Sequence, residues 1–338
     1  MELKRIAIDT SKHVFTVHGV DEHEHPVLRR DLRRQQVEGF FAALPPSEVV
    51  LEACGGSHHW GRRLSALGHQ VKLIAPQYVK PFVKRGKNDR IDAAAISEAA
   101  ARPTMRFVPV KSAERQAQAS VLSLRELLVK QRTQLINALR GQAAEFGIVA
   151  AKGAGNAAAL AARIAGDGEL PIAVKEVLAL LGQQIARLDA TIAALDGKLA
   201  AQHRASAMSR LLCDIPGIGR ITALSALLTV DPGQFKSGRH LAAWIGLTPK
   251  ERSTGGKRRL GAISKQGNER LRQLLVLGAM AVIKVAKPGH RYATRWLLKL
   301  LERRPRRVAA VALANKMARI LWAMMTSGQA YRPSPVAA

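Results

Sequence analysis

The chain is poor in residues that staple or metallate a fold. Its 338 residues include only two cysteines, Cys54 and Cys213, which excludes a disulfide framework and a cysteine-built zinc cluster and fits a reducing, cytoplasmic setting. The ten histidines show no ligand spacing; the nearest pair, His58-His59, consists of neighbours that point apart on a helix or a strand. There is no run of about 18 or more apolar residues, no lipidation motif and no signal peptide, so no membrane partner is expected. Acids are the scarcest of all relative to need: 25 Asp+Glu stand against 53 Lys+Arg, a net charge of +28 and a pI of about 11.2. That excess is far beyond what solubility requires, and a polyanion is the expected partner. It is also uneven, since Lys250 to Arg307 holds 17 Lys+Arg and 3 Asp+Glu. What is present in quantity is apolar: 47% hydrophobic residues, enough for a folded chain with room for two domains.

Against this scarcity the placement of acids is informative. From Ala53 to Asn88 there is no Asp or Glu, while Arg62, Arg63, Lys72, Lys80, Lys84, Arg85 and Lys87 are all cationic. At the edge of that field stands Lys87-Asn88-Asp89-Arg90-Ile91-Asp92-Ala93, opening an alanine-rich run. Asp89 and Asp92, three apart, share one face of a helix. Two readings are open: Asn88 or Asp89 caps the helix with acids in its first turn, or the carboxylates converge on a hard divalent cation.

The flanking pattern favours convergence. Arg5-Ile6-Ala7-Ile8 predicts a strand ending at Asp9, His13 to Val20 a second and Val27 to Leu32 a third, an antiparallel start to a sheet. Gln35 to Leu44 has helical spacing and stops at Pro45-Pro46. Val49-Val50-Leu51 predicts a buried strand ending at Glu52; a helix with Trp60, Leu64 and Leu67 and the strand Val71 to Ile74 follow, implying parallel pairing through a right-handed crossover. The order is βββαβαβα. Asp9 and Glu52 then sit at the carboxyl ends of their strands, where open α/β sheets hold ligands, and Asp89 and Asp92 close over the same edge. Four carboxylates packed together raise one another's pKa values unless Mg²⁺ or Mn²⁺ neutralises them. Two such ions suit in-line phosphoryl displacement.

Beyond Pro109 the chain becomes helical. Ala113 to Phe146 and Val174 to Gln202 carry leucines close to a heptad seam, which fits a coiled-coil hairpin, a dimerising stalk or ordinary core packing. Asp214-Ile215-Pro216-Gly217-Ile218-Gly219-Arg220 resembles the helix-hairpin-helix turn of DNA-binding proteins, with Gly217, Gly219 and Arg220 as phosphate contacts; a plain helix stop is the alternative. Pro249 to Asn268 is a glycine-rich basic loop whose Lys257, Arg258, Arg259 and Lys265 fit a phosphate backbone, as do Arg85 and Lys87 upstream. Its hydroxyls are Ser253, Thr254 and Ser264, and no histidine partner stands near them in sequence. Three further helices, Asn268 to Lys284, His290 to Leu301 and Val308 to Met325, are predicted, then a frayed tail from Tyr331.

Ile6-Ala7-Ile8-Asp9, Leu51-Glu52-Ala53 and the Lys87 to Ala93 stretch resemble the DEDD motif of a large family of bacterial insertion-sequence transposases. Ile215-Pro216-Gly217-Ile218-Gly219, Ala242 to Pro249 and Ser253-Thr254-Gly255-Gly256-Lys257 resemble that family's serine-containing second domain. The resemblance implies a ribonuclease-H-like α/β domain similar to the RuvC resolvase over 1–110, a long-helix coiled-coil middle over 111–205, a mostly α transposase domain with a helix-hairpin-helix-like motif over 206–330 and a flexible tail over 331–338. It implies Mg²⁺ at Asp9, Glu52, Asp89 and Asp92, attack of a serine on DNA to give a phosphoserine, and guidance by a bridge RNA that pairs with donor and target DNA. It further implies a homodimer or tetramer whose composite site joins the acids of one subunit to the serine of another, in the bacterial cytoplasm and nucleoid-associated when bound. Ser253 is preferred to Thr254 because a primary hydroxyl attacks phosphorus with less crowding. Competing readings are a junction-resolving endonuclease that uses water, and a non-catalytic nucleic-acid-binding protein on a nuclease fold.

Overall fold

Strand β1, Arg5–Thr10, is buried on both faces, with Ile6, Ala7 and Ile8 almost inaccessible. Such a strand must be central and covered twice, because successive side chains point to opposite sides. In the computed structural model, which describes residues 3–84, 88–257 and 259–332, β1 is joined by β2 (Val14–Val20), β3 (Pro26–Arg33), β4 (Glu48–Glu52), β5 (Gln70–Ile74) and the two-residue β6 (Phe107–Val108) in the order β3-β2-β1-β4-β5-β6. The first three strands are antiparallel neighbours, β1–β4 and β4–β5 are parallel, and β6 is antiparallel to β5. This mixed sheet is compatible with a ribonuclease-H-like domain. Strand β6 was not expected, since two residues carry too little pattern to register.

Helices cover both faces. Helices α1 (Val37–Ala42) and α2 (Ser57–Ala66) place Val37, Phe41, Trp60 and Leu64 on Ile6, Ile8, Phe15 and Leu51. The one-turn α3 (Pro76–Val79) leads to α4 (Asp89–Ala100), whose Ala95, Ile96 and Ala99 pack on Ala7, Val50 and Ile74. Ile6 and Ile8 therefore face one layer and Ala7 the other. The small side chains let α4 lie close to β1 and β4, which brings its first turn to their carboxyl ends.

The chain divides into two compact units, Met1–Gln116 and Ala117–Ala338. Two long helices, α5 (Ala113–Ala144) and α7 (Ile172–Ala205), are bridged by α6 (Ala157–Gly166). They run antiparallel: Arg125 pairs with Asp196 at 2.7 Å and, further along, Arg132 with Asp189 at 2.6 Å. Leu122 and Leu199 share one apolar cluster, and Ile136 and Leu139 share another with Leu178 and Ile185. Packing within one chain thus buries the inner part of the leucine pattern, while Leu124, Leu127, Val177 and Leu180 remain exposed.

The remainder is mostly helical: α8 (Ala207–Leu212), α9 (Arg220–Thr229), α10 (Gly238–Trp244), a β7–β8 hairpin (Pro249–Glu251, Leu260–Ile263), α11 (Glu269–Val285), α12 (Arg295–Arg303) and α13 (Arg306–Ser327). Helix α13 is long and apolar enough to cross a bilayer. Its Ala310, Ala314, Met317 and Leu321 instead pack with Leu271, Leu275 and Ala279 of α11 in the largest core cluster. The last described residues are Tyr331 and Arg332; the expected tail beyond them lies outside the described residues.

Candidate functional site

The parallel register Ile8↔Leu51 sets Asp9 and Glu52 next to each other as β1 and β4 end. The capping alternative for α4 resolves onto Asn88, whose side-chain oxygen accepts from the Ile91 N–H at 2.9 Å. Asp89 and Asp92 are thereby spared that duty. One carboxylate oxygen from each of Asp9, Asp89 and Asp92 lies within 4.8 Å of the others. Glu52 stands outside this tightest trio but near enough to feel it electrostatically.

The cost of the arrangement appears in the pKa values. Asp9 is pushed up to about 6, first by burial, then by the charges of Asp92, Asp89 and Glu52, with the Thr10 backbone N–H partly offsetting them. Glu52 is raised by burial and then by Asp92. None of the four acids has an ion-pair partner among the described residues; the adjacent Arg90 turns instead to Asp31 at 3.4 Å. Oxygen-only ligands in mutual repulsion, with no ion-pair partner among the described residues, are a donor set that fits hard divalent cations.

The basic stretch after Pro249, expected as a loop, is a hairpin. Gly255 and Gly256 both have positive φ, 55° and 73°, and Thr254 bridges Lys257 across them. This is the backbone signature of the tight turn that Gly-Gly favours. The segments flanking it cross at the end of α10 by backbone contact too close for side chains: a Cβ on Gly267 would lie 1.8 Å from the Trp244 carbonyl oxygen, and one on Gly246 2.4 Å from that of Gln266. Buried Arg272 locks the crossing, its Nη1 donating to the carbonyls of Ile245 at 2.7 Å and Gln266 at 2.8 Å.

On this hairpin Ser253 is exposed. Its Oγ donates to Glu251 Oε1 at 2.8 Å and accepts from the Arg259 N–H at 3.1 Å. In place of a histidine, the partner is a carboxylate two residues back on the same extended arm. Thr254 is exposed at the turn, where its backbone carbonyl accepts from the Lys257 N–H, and Ser264 is half-buried in the stem, its N–H bonded to the Thr248 carbonyl.

The other predicted contact residues separate by environment. Gly217 has φ 85° and crosses Gly278 of α11, where a Cβ would come within 2.6 Å of the Gly278 oxygen; packing accounts for this glycine. Gly219 and Arg220 are exposed at the start of α9, as are Lys257, Arg259 and Lys265 on and after the hairpin. Arg85, Lys87 and Arg258 lie outside the described residues.

Comparison with known proteins adds the family. A DEDD transposase family matches residues 6–146, and the family described as Transposase IS116/IS110/IS902 matches residues 209–294. A transposase-named protein of Sinorhizobium fredii is 54% identical over 333 residues, covering 98% of this chain and 86% of that protein. The transposase for insertion sequence element IS1111A of Coxiella burnetii is 41% identical, covering 98% and 92%. The transposase for insertion sequence element IS1328 of Yersinia enterocolitica is 38% identical, covering 96% and 98%. Acid-edged sheet, helical second unit and full-length relatives agree, and the chain belongs to the IS116/IS110/IS902 family of insertion-sequence transposases.

Proposed function

We propose that this transposase is an RNA-guided DNA recombinase that cuts and exchanges strands through a phosphoserine. The observation that carries the reading is the trio of carboxylates from Asp9, Asp89 and Asp92 gathered within 4.8 Å, with Glu52 beside them. These residues would hold Mg²⁺, or Mn²⁺, since all-oxygen ligands favour such ions. Bound there, the metal supplies charge stabilisation for the attacking and leaving oxygens of phosphoryl transfer.

Ser253 is the nucleophile in this reading. Its Oγ forms a bond to phosphorus as the P–O bond to the departing strand breaks, and its proton leaves along the existing hydrogen bond to Glu251. Attack of a second strand's hydroxyl on the phosphoserine then releases the serine and joins the strands. Exposed Gly219, Arg220, Lys257, Arg259 and Lys265 contact phosphates, together with Arg85, Lys87 and Arg258. The charge of +28 supports a bridge RNA beside the donor and target DNA, and the protein acts as a homodimer or tetramer.

The test is a search for a denaturant-stable protein–DNA adduct, using labelled donor and target DNA, Mg²⁺ and RNA transcribed from the non-coding DNA beside the gene. The adduct should vanish in Asp9→Asn and Ser253→Ala. Strand cutting that survives Ser253→Ala would make water the nucleophile and end the serine reading, and an adduct formed without RNA would end the guidance reading.

A further inference from the structure

The second unit contains a groove of about 1560 Å³ between the hairpin stem, the start of α10 and the outer face of α13. This is larger than the ~300–1,000 Å³ typical of small-molecule sites, a size suited to a length of polymer. Five cations line it: Arg239, Lys265, Arg307, Lys316 and Arg319. The described lining contains no acid, and none of these cations is paired with a carboxylate among the described residues. They come from three separate segments, α10, the stretch after the hairpin and α13, so no sequence motif announces them.

The rest of the lining is apolar, with Leu247, Ile263, Val308 and Val311 beneath Trp296 and Trp322. Trp296 keeps 37% of its surface exposed, and Lys316 Nζ sits 4.8 Å from its ring centroid. Trp322 is fixed, its indole N–H donating to the Pro232 carbonyl at 3.1 Å.

Two features of the walls run against local preference. The first turn of α13 carries Arg306 and Arg307 and no acid, although cations at a helix N-terminus are disfavoured by the helix dipole. Lys265 holds φ at 56°, a left-handed conformation that is strained for a non-glycine residue. An anion in the groove would offset the first cost, and the second holds a lysine at the groove's rim.

We infer that this groove binds single-stranded nucleic acid, its cations following the phosphates and at least one unstacked base lying against Trp296. The charge argues against a second copy of the chain, which would bring a net +28 to a surface already cationic. The apolar floor argues against duplex, which presents phosphates outward and keeps its bases inside, whereas a single strand offers π-faces to aromatic rings. The inference takes the polymer's identity from the strand-exchange reading above, but strand capture here requires neither the acids nor Ser253.

The experiment therefore uses the full chain with a metal chelator, so that failure of the catalytic reading leaves it intact. A fluorescent oligodeoxythymidine of about 15 nucleotides, carrying 5-iodouracil, is titrated across salt concentrations and then photocrosslinked, and the labelled peptides are mapped. Crosslinks are expected in the α12 and α13 peptides bearing Trp296 and Trp322. Trp296→Leu should weaken binding about 5- to 150-fold with little change in salt dependence, the loss of one base–aromatic stack. The double variant Arg307→Gln/Lys316→Gln should lower the log–log salt slope by about 1.4, two single-strand phosphate contacts. It alters exposed or half-exposed positions and decides the matter if Trp296→Leu does not fold. Crosslinks confined to other peptides, wild-type affinity and slope in the folded double variant, or stronger binding of the same sequence as duplex would overturn the inference. So would a Trp296→Leu protein whose solution mass changes while strand binding does not, which would place a second copy in the groove.

Discussion

Replacing Asp9 by Asn should stabilise the metal-free protein while removing its response to metal. The Asp9 carboxyl is raised from 3.8 to about 6 in the folded chain. A shift of that size corresponds to about 3 kcal/mol at 1.36 kcal/mol per unit, but Asp9 is only half-buried, and solvent screening reduces the figure to about 1–2 kcal/mol. The sign follows from which state holds the proton more tightly. Between about pH 3.8 and 6 the folded chain binds more protons at this site than the unfolded one, so stability from this group is greatest below that window and is lost as pH rises through it. Asn carries no charge to desolvate or repel, so Asp9→Asn should flatten this pH dependence. At pH above 7 in chelator it should raise the melting temperature of the N-terminal unit by about 3–8 °C. Adding Mg²⁺ at about a hundred times its dissociation constant should stabilise the wild type by about 2.7 kcal/mol and the variant by far less. Thermal melts by circular dichroism, with and without Mg²⁺ and at both ends of the pH window, read all of this. A variant that melts below wild type in chelator, or an equal Mg²⁺ shift in both, would refute the view that these carboxylates are a strained site awaiting a cation.

Two further outcomes follow from the geometry. Asn88→Ala removes the cap that starts α4, so it should cost about 1 kcal/mol in urea unfolding and, by fraying the turn that holds Asp89 and Asp92, weaken Mg²⁺ binding in calorimetry by about fivefold. Gly267→Ala forces a Cβ to 1.8 Å from the Trp244 carbonyl oxygen at positive φ and should destabilise the second unit by more than about 2 kcal/mol. Gly255→Ala, in open space, should cost only about 1–2 kcal/mol, and equal losses at the two positions in the same urea titration would contradict the account of the hairpin stem.

Gly217 reads as a phosphate contact because Pro-Gly-x-Gly turns expose backbone N–H groups, and its proximity to Gly278, sixty-one residues on, adds a packing reason for the glycine that no local pattern contains. The stretch 249–268 reads as a loop because its charge masks the Gly-Gly turn signal; the stem closes because Gly246, Gly267 and Arg272 meet where the end of α10 faces the start of α11. Glu251 is the hydrogen-bond partner of Ser253 because residues two apart on an extended arm share a side.

By itself, the sequence determined the longer elements and their order, but not the two-residue β6 or the β7–β8 hairpin. Runs such as Ile6-Ala7-Ile8 and Val49-Val50-Leu51, the leucine spacing of α5 and α7, and the stop at Pro45-Pro46 each act within a few residues, where periodicity and backbone sterics decide conformation. Its scarcity of acids also drew attention to Asp9, Glu52, Asp89 and Asp92. The tertiary structure alone decided which of those acids come closest, that Asn88 rather than Asp89 caps α4, and that five cations spread from Arg239 to Arg319 line one groove. Such convergence depends on how separate elements pack, and packing is a property of the whole core rather than of any window of sequence.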